Sequence, residues 1–316
     1  MDKKMLQAYF LLLLATGIWG GNLVVGKVAT AYFPPFTLAL LRWSIALLIL
    51  LPFSWRRLCK EWNIIVRYKW VLVGMSIFGI SGYNALLYYA LNHTTSINAA
   101  VVNSITPVFI AAFSFFILRQ TLKIGQILGI AISVLGIVLT VSQGSWEKLI
   151  ELRFNVGDLL VIAAVICWSI YSVLLKKYAV VLPRFSAFFF TVMLAVISLA
   201  GLSATERPDI SVLFKWNGTV WFILLYIGIA AAIVSFLAWN VAIERVGAAT
   251  AGIFYNLIPL FSISFAVIFL GEPVLWYQIS GGTMVIAGVL VSVIPFSRNE
   301  LTTKRILMVL RRNRGI

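Results

Sequence analysis

Residues 19–36, WGGNLVVGKVATAYFPPF, align without a gap on residues 168–185, WSIYSVLLKKYAVVLPRF, pairing Trp19 with Trp168, Lys27 with Lys176, Pro34 with Pro183 and Phe36 with Phe185. A second match follows the first. Residues 90–109, ALNHTTSINAAVVNSITPVF, lie on residues 242–261, AIERVGAATAGIFYNLIPLF, which sets Asn103 opposite Tyr255 and Pro107 opposite Pro259. The two halves of the chain therefore read as copies of one unit, and the size of that unit decides the fold.

The surroundings of these stretches give the size. The chain is 62% hydrophobic and 11% charged, with a mean hydropathy of +1.01, and apolar runs of about 20 residues recur along it, the length that crosses a bilayer as a helix. Such unbroken runs exclude the alternating pattern of an outer-membrane barrel. Spans are expected near 8–30, 36–54, 70–91, 96–118, 124–142, 158–177, 186–204, 218–242, 248–270 and 275–295. The start, MDKKMLQAYFLLLLATG, has the basic flank of a secretory signal, but its apolar run continues to about Ala31, so it reads as an uncleaved first helix.

Each half then holds five spans, an odd number, so the second half is inverted relative to the first. The fold class is an all-α polytopic membrane protein of ten helices in two inverted repeats: 1–142, an external linker at 143–157, 158–296, and a basic tail at 297–316. Charge orients it. With the N-terminus inside, the inner face receives Lys3, Lys4, Arg56, Arg57, Lys60, Arg67, Lys69, Arg119, Lys123, Lys176, Lys177, Arg184, Arg245 and the basic tail, while the outer face receives only Lys148, Arg153, Arg207 and Lys215. Both termini are thus expected in the cytoplasm. The net charge of +15 follows from this topology and from attraction to anionic lipid, and nucleic-acid binding would need a basic soluble surface.

Cys59 and Cys167 offer no disulfide framework or CxxC site, and His93 is the sole histidine, so redox and His-based metal chemistry drop out and no cofactor is implied. Inverted repeats are the architecture of alternating-access carriers, with a site near midplane between the halves. Groups able to hydrogen-bond at that depth must face protein or water. In the first helix Trp19, Asn22 and Gly26 share a face, and the repeat mate offers Trp168 and Tyr171 there. The third helix presents Tyr83, Asn84 and Tyr88, and the eighth presents Trp239 and Asn240, with Asn240 opposite Tyr88. Aromatic walls with sparse amides suit a small-molecule pocket, the alternatives being interhelical packing and an interfacial aromatic belt.

Asn103 and Tyr255 each precede a proline by four residues, so Pro107 and Pro259 deprive their carbonyls of the helical partner. The resulting kinks act as gates or merely bend the helices to fit. Lys27 and Arg42 lie toward the outer ends of their helices. Lys27 reads as a snorkelling or outer-gate cation, with pairing to a substrate carboxylate as the rival, and Arg42 as a structural hydrogen-bond anchor. Asp158, Glu244 and Glu272 all fall at helix ends, which favours a facilitator over proton antiport. Gly125-x-x-x-Gly129 marks a close helix contact, within one subunit or in a homodimer.

The stretches WGGNLVVGK…PPFTLALLRW, SINAAVVNSITPVFIAAFSFFIL…GQILGIAISVLGIVL and GAATAGIFYNLIPLFSISFAVIFLGEPVLWYQISGGTMVIAGVLV resemble the twin EamA domains of the drug/metabolite transporter superfamily over residues 10–295. The second half carries the family's Leu270-Gly271-Glu272-Pro273, where the first departs from the pattern with Arg119-Gln120, and Glu272 reads mainly as an interfacial turn residue. The resemblance implies a bacterial inner-membrane carrier, an exporter or facilitator of amino acids or related small metabolites. A sugar-phosphate or nucleotide-sugar carrier would need more deep cations than Lys27, and an intramembrane enzyme would need paired carboxylates, HExxH or GxSxG, none of which occurs.

Overall fold

In lipid every backbone polar group must be satisfied within the chain, so long apolar runs become helices. The computed structural model describes residues 3–29, 31–91, 93–94, 96–150, 155–207, 218–271 and 273–294, without the side chains of 27, 88, 91, 96–98, 148–149 and 270. Among them are ten helices long and apolar enough to span a membrane: α1 (Lys3–Gly26), α2 (Pro35–Lys60), α3 (Lys69–Leu87), α4 (Ala99–Leu118), α5 (Ile124–Val141), α6 (Val156–Tyr178), α7 (Arg184–Thr205), α8 (Gly218–Val246), α9 (Ala248–Phe269) and α10 (Trp276–Val293). The protein is an all-α polytopic membrane protein.

Boundaries differ from expectation where ends carry polar residues. Helix α1 begins at Lys3 and α2 continues to Lys60, because their basic turns extend into the interface; Arg57 there stacks on Phe185, 5.0 Å from the ring centre. Helix α6 starts at Val156 because Asn155 caps it: its side chain accepts the Asp158 N–H at 3.1 Å while Asp158 accepts the Asn155 N–H at 2.8 Å. The basic tail and Glu272 lie outside the described residues.

The packing repeats itself. Helix α1 lies against α8 and α9, and its sequence mate α6 lies against α3 and α4, while α2 packs on α7, α4 on α9 and α5 on α10. Helices α5 and α10 approach through glycines, Gly129 beside Gly288 and Gly136 beside Gly281. This places Gly129 of the small-residue motif within the subunit and makes the two helices antiparallel.

Helices α2 and α7 are also antiparallel: Thr37 meets Ser203 at 2.9 Å at one end, and Ser186 bonds Glu61 at the other. The α1/α6 pair follows from α8. Gln7 and Ile18 of α1 meet Arg245 and Tyr226, whereas Tyr171 and Lys176 of α6 meet Asn240 and Glu244. Helix α1 thus runs against α8 and α6 runs with it.

Helix α2 opens on Pro35, and Pro34 before it offers no side-chain cap. Glu206, at the end of α7, caps it instead, its carboxylate accepting the Phe36 and Thr37 N–H groups, each at 2.8 Å. A carboxylate on a helix N-terminus contributes about 1–2 kcal/mol. Glu206→Ala should therefore lower the melting temperature in detergent by several degrees, and Glu206→Gln by less; an unchanged melting temperature for Glu206→Ala would remove the cap from the stability of the bundle.

Candidate functional site

At the centre of the bundle the aromatic residues of α1, α3, α6, α8 and α9 form one cluster. Trp19 lies 5.4 Å from Trp168, 5.4 Å from Trp239 and 6.4 Å from Tyr255, centroid to centroid. Trp168 in turn lies 5.4 Å from Tyr171, 5.5 Å from Tyr83 and 5.9 Å from Tyr255. Most of these pairs are edge-on or tilted, the arrangements a ring quadrupole favours. Phe236 joins them, 5.5 Å from Trp19 and 4.8 Å from Trp43. It has no polar atom to mark it within its span; its position one turn before Trp239 on α8 is the signal that places it here.

Hydrogen bonds tie the cluster together at its polar tips. Tyr83 and Tyr255 share a bond of 2.8 Å between hydroxyls, and Asn103 also bonds the Tyr255 hydroxyl. Tyr171 donates to the Asn240 side-chain oxygen at 3.0 Å. Four polar atoms of this region are buried without a partner among the described residues: the indole N–H groups of Trp43, Trp168 and Trp239 and the Asn103 side-chain oxygen. Trp168 is 2% exposed and Trp239 0%. An unsatisfied buried group of this kind costs about 1–3 kcal/mol, so it calls for an explanation.

The breaks in α4 and α9 put Asn103 and Tyr255 there. Helix α4 turns at residues 104–105 and α9 at Asn256, just before each proline, so Asn103 and Tyr255 each end a helical segment. The freed Asn103 carbonyl accepts the Thr106 hydroxyl at 2.5 Å, and the Asn256 amide reaches Ser133 of α5 at 3.2 Å.

The helices facing α1 and α6 depart from α geometry. Ile77–Ser81 in α3 and Tyr226–Val234 in α8 are π-helical. A π turn widens the helix and redirects carbonyls away from the regular ladder, and such turns gather at functional sites. The Ala231 carbonyl accepts two donors from elsewhere, Trp19 Nε1 at 3.1 Å and Arg42 Nη2 at 2.7 Å. Arg42 is thus buried within the bundle, 8% exposed, with a backbone carbonyl receiving its charge-assisted bond. On α3, Asn84 donates to the Ile80 carbonyl at 2.6 Å, one turn back.

Of the residues singled out in the sequence, Trp19, Tyr83, Asn103, Trp168, Tyr171, Trp239, Asn240 and Tyr255 meet in or beside this cluster. Asn22 is half-buried beyond it, Asn84 is turned to its own helix, and the Lys27 and Tyr88 side chains lie outside the described residues. Near the ends of α6, α7 and α8 an ion pair joins Arg184 to Glu244, and Lys176 donates to the Glu244 carbonyl. Beside it a cavity of about 30 Å³, room for one or two waters, is lined by Tyr171, Asn240, Thr191 and Met75 among others.

The family model described as the EamA-like transporter family matches residues 6–142 and 155–294. The chain is similar to "Uncharacterized transporter YyaM" of Bacillus subtilis, 30% identical and covering 91% of this chain and 93% of that protein. It is also similar to the "Probable amino-acid metabolite efflux pump" of Salmonella typhimurium, 26% identical, covering 91% of this chain and 95% of that one. A solved crystal structure superposes with a TM-score of 0.73 at 21% identity, covering 90% of this chain and 96% of the other, a likeness of fold.

Proposed function

The chain belongs to the EamA-like transporter family, and from that premise we propose that it is an alternating-access facilitator that exports amino acids or related small metabolites across a bacterial inner membrane. In this reading residues 1–142 and 158–296 are inverted repeats joined by an external linker at 143–157, with both termini in the cytoplasm. The symmetric helix packing and the charge bias support it.

One observation carries the substrate class. Among the described residues Trp239 offers an unpartnered donor and Asn103 an unpartnered acceptor, both next to Tyr255, which Asn103 bonds and whose ring lies 6.0 Å from Trp239. A carboxylate for the indole N–H and an ammonium for the amide oxygen would satisfy both, among rings that bury an apolar side chain. The similarity to a protein named as an amino-acid metabolite efflux pump points the same way. Facilitation is favoured because the described spans carry carboxylates only near their ends, at Asp158 and Glu244.

Transport into proteoliposomes of a panel of amino acids and cationic drugs, with and without a pH gradient, tests the proposal. Downhill flux of amino acids that ignores the gradient is expected. Gradient-driven accumulation would overturn the facilitator, and flux of none of the amino acids by folded protein would overturn the substrate class. Trp239→Phe keeps a ring and removes the N–H, so half-saturation should weaken about tenfold, the worth of one buried hydrogen bond. An unchanged KM would return Trp239 to a packing role.

A further inference from the structure

The two π segments occupy equivalent places in the repeat. Continued toward the N-terminus in the same register, the second alignment lays Ile77–Ser81 on residues 229–233, inside Tyr226–Val234, and sets Gly79 opposite Ala231. Continued toward the C-terminus, the first alignment sets Arg42 opposite Thr191. Trp19 and Arg42 meet the Ala231 carbonyl, and by the repeat register their counterparts are Trp168 and Thr191, with Gly79 as the counterpart of Ala231.

The two sets are not in the same condition. The Trp19 N–H and Arg42 are bonded to Ala231, whereas the Trp168 N–H is unpartnered and Thr191 donates to Ala187 of its own helix at 2.6 Å. The Tyr171 ring instead covers Gly79, where a Cβ would clash with the ring. Arg42 and Thr191 each sit about two turns from the N-terminus of their helix. Helices α2 and α7 are antiparallel, so the two sets lie toward opposite ends of the bundle. The cavity beside the cluster lies at the end of the unbonded set, and Tyr171 and Thr191 both line it.

We propose that these are the two positions of one latch: Trp19 and Arg42 on the Ala231 carbonyl close the end of the bundle nearer the α2 N-terminus, and Trp168 on the Gly79 carbonyl closes the other end when the first releases. The proposal rests on the alternating-access reading and is independent of the substrate. A buried N–H and a π-segment carbonyl in each repeat give both states a partner for the group the other state frees. The guanidinium in only one set makes that bond the stronger, since an ionised donor outweighs a hydroxyl. The bonded set with the guanidinium is accordingly the favoured one, and the structure has the Arg42 end closed.

Hydrogen exchange of the full chain in lipid nanodiscs, without substrate, tests the latch. Exchanging the cation between the sets, Arg42→Thr with Thr191→Arg, should speed exchange in residues 226–234 about tenfold and slow it in residues 77–81 by a similar factor. Adding Trp168→Phe, which leaves the transferred guanidinium as the only donor there, should reduce the slowing at 77–81. Faster exchange at 226–234 with no protection at 77–81, or no change in either, would overturn the latch and leave Arg42 a fixed strut. Should the exchanged variant not fold, Trp19→Phe removes one N–H with a ring kept, and the same reciprocal change decides. These outcomes do not depend on transport, so failure of the amino-acid assignment is read separately.

Discussion

Replacing Gly281 with leucine should eliminate the folded protein. A Cβ at Gly281 would fall on the Thr140 side chain and the Gly136 carbonyl, with the Thr140 nitrogen 3.1 Å away. Neither backbone can yield locally, because the seam is reciprocal: a Cβ at Gly136 would lie 2.6 Å from the Gly281 carbonyl oxygen, and one at Gly129 2.5 Å from that of Gly288. Relief requires α5 and α10 to separate along their length. In lipid no hydrophobic force opposes that separation, since tails solvate the exposed surface as well as leucine does; close packing alone holds the pair. Overpacking typically costs about 1–3 kcal/mol, and more where backbone must move. Size-exclusion chromatography of the detergent-solubilised variant should show the monodisperse peak lost. Gly201→Leu is the control: among the described residues nothing lies within 4 Å of a Cβ at Gly201, and its profile should match the parent protein. A monodisperse Gly281→Leu would mean the seam opens without loss.

Trp239→Ala should have the second largest effect, and on stability and transport together. The indole is 0% exposed and lies against Trp19, Trp168 and Tyr255 at 5.4, 5.8 and 6.0 Å. Truncating a buried aromatic costs about 3–5 kcal/mol, including the ring contacts it abandons. Thermal unfolding in detergent should show the loss, and transport in proteoliposomes should fall to background because the wall carrying the donor is gone. Trp239→Phe separates the causes. It should keep most of the stability and lose chiefly affinity, whereas near-parental stability of Trp239→Ala would show that the cluster is looser than the ring distances imply.

Much of the architecture was legible because hydropathy is local. A run of apolar residues long enough to cross lipid has no alternative to a helix, and the matched stretches at 19–36 and 168–185 fixed which helices are mates before any contact was known. The aromatic site was half legible. Indole, phenol and amide groups inside spans have to face protein, and eight of the residues chosen on that ground meet at the centre. Phe236, with no polar atom to mark it, is not legible on that ground, and the Asn84 amide, expected in the cavity, donates to Ile80 of its own helix.

What the sequence determined by itself was therefore the number of helices and the residue types at the centre, since each follows from local composition and register. What only the tertiary structure decided was which polar groups find partners. The π segments of α3 and α8 carry no composition that marks a widened turn, yet they turn out the carbonyl that holds Trp19 across 212 residues of chain and Arg42 across 189. Partners that distant are set by helix packing, because a buried donor in lipid must take the acceptor that the fold brings within about 3 Å.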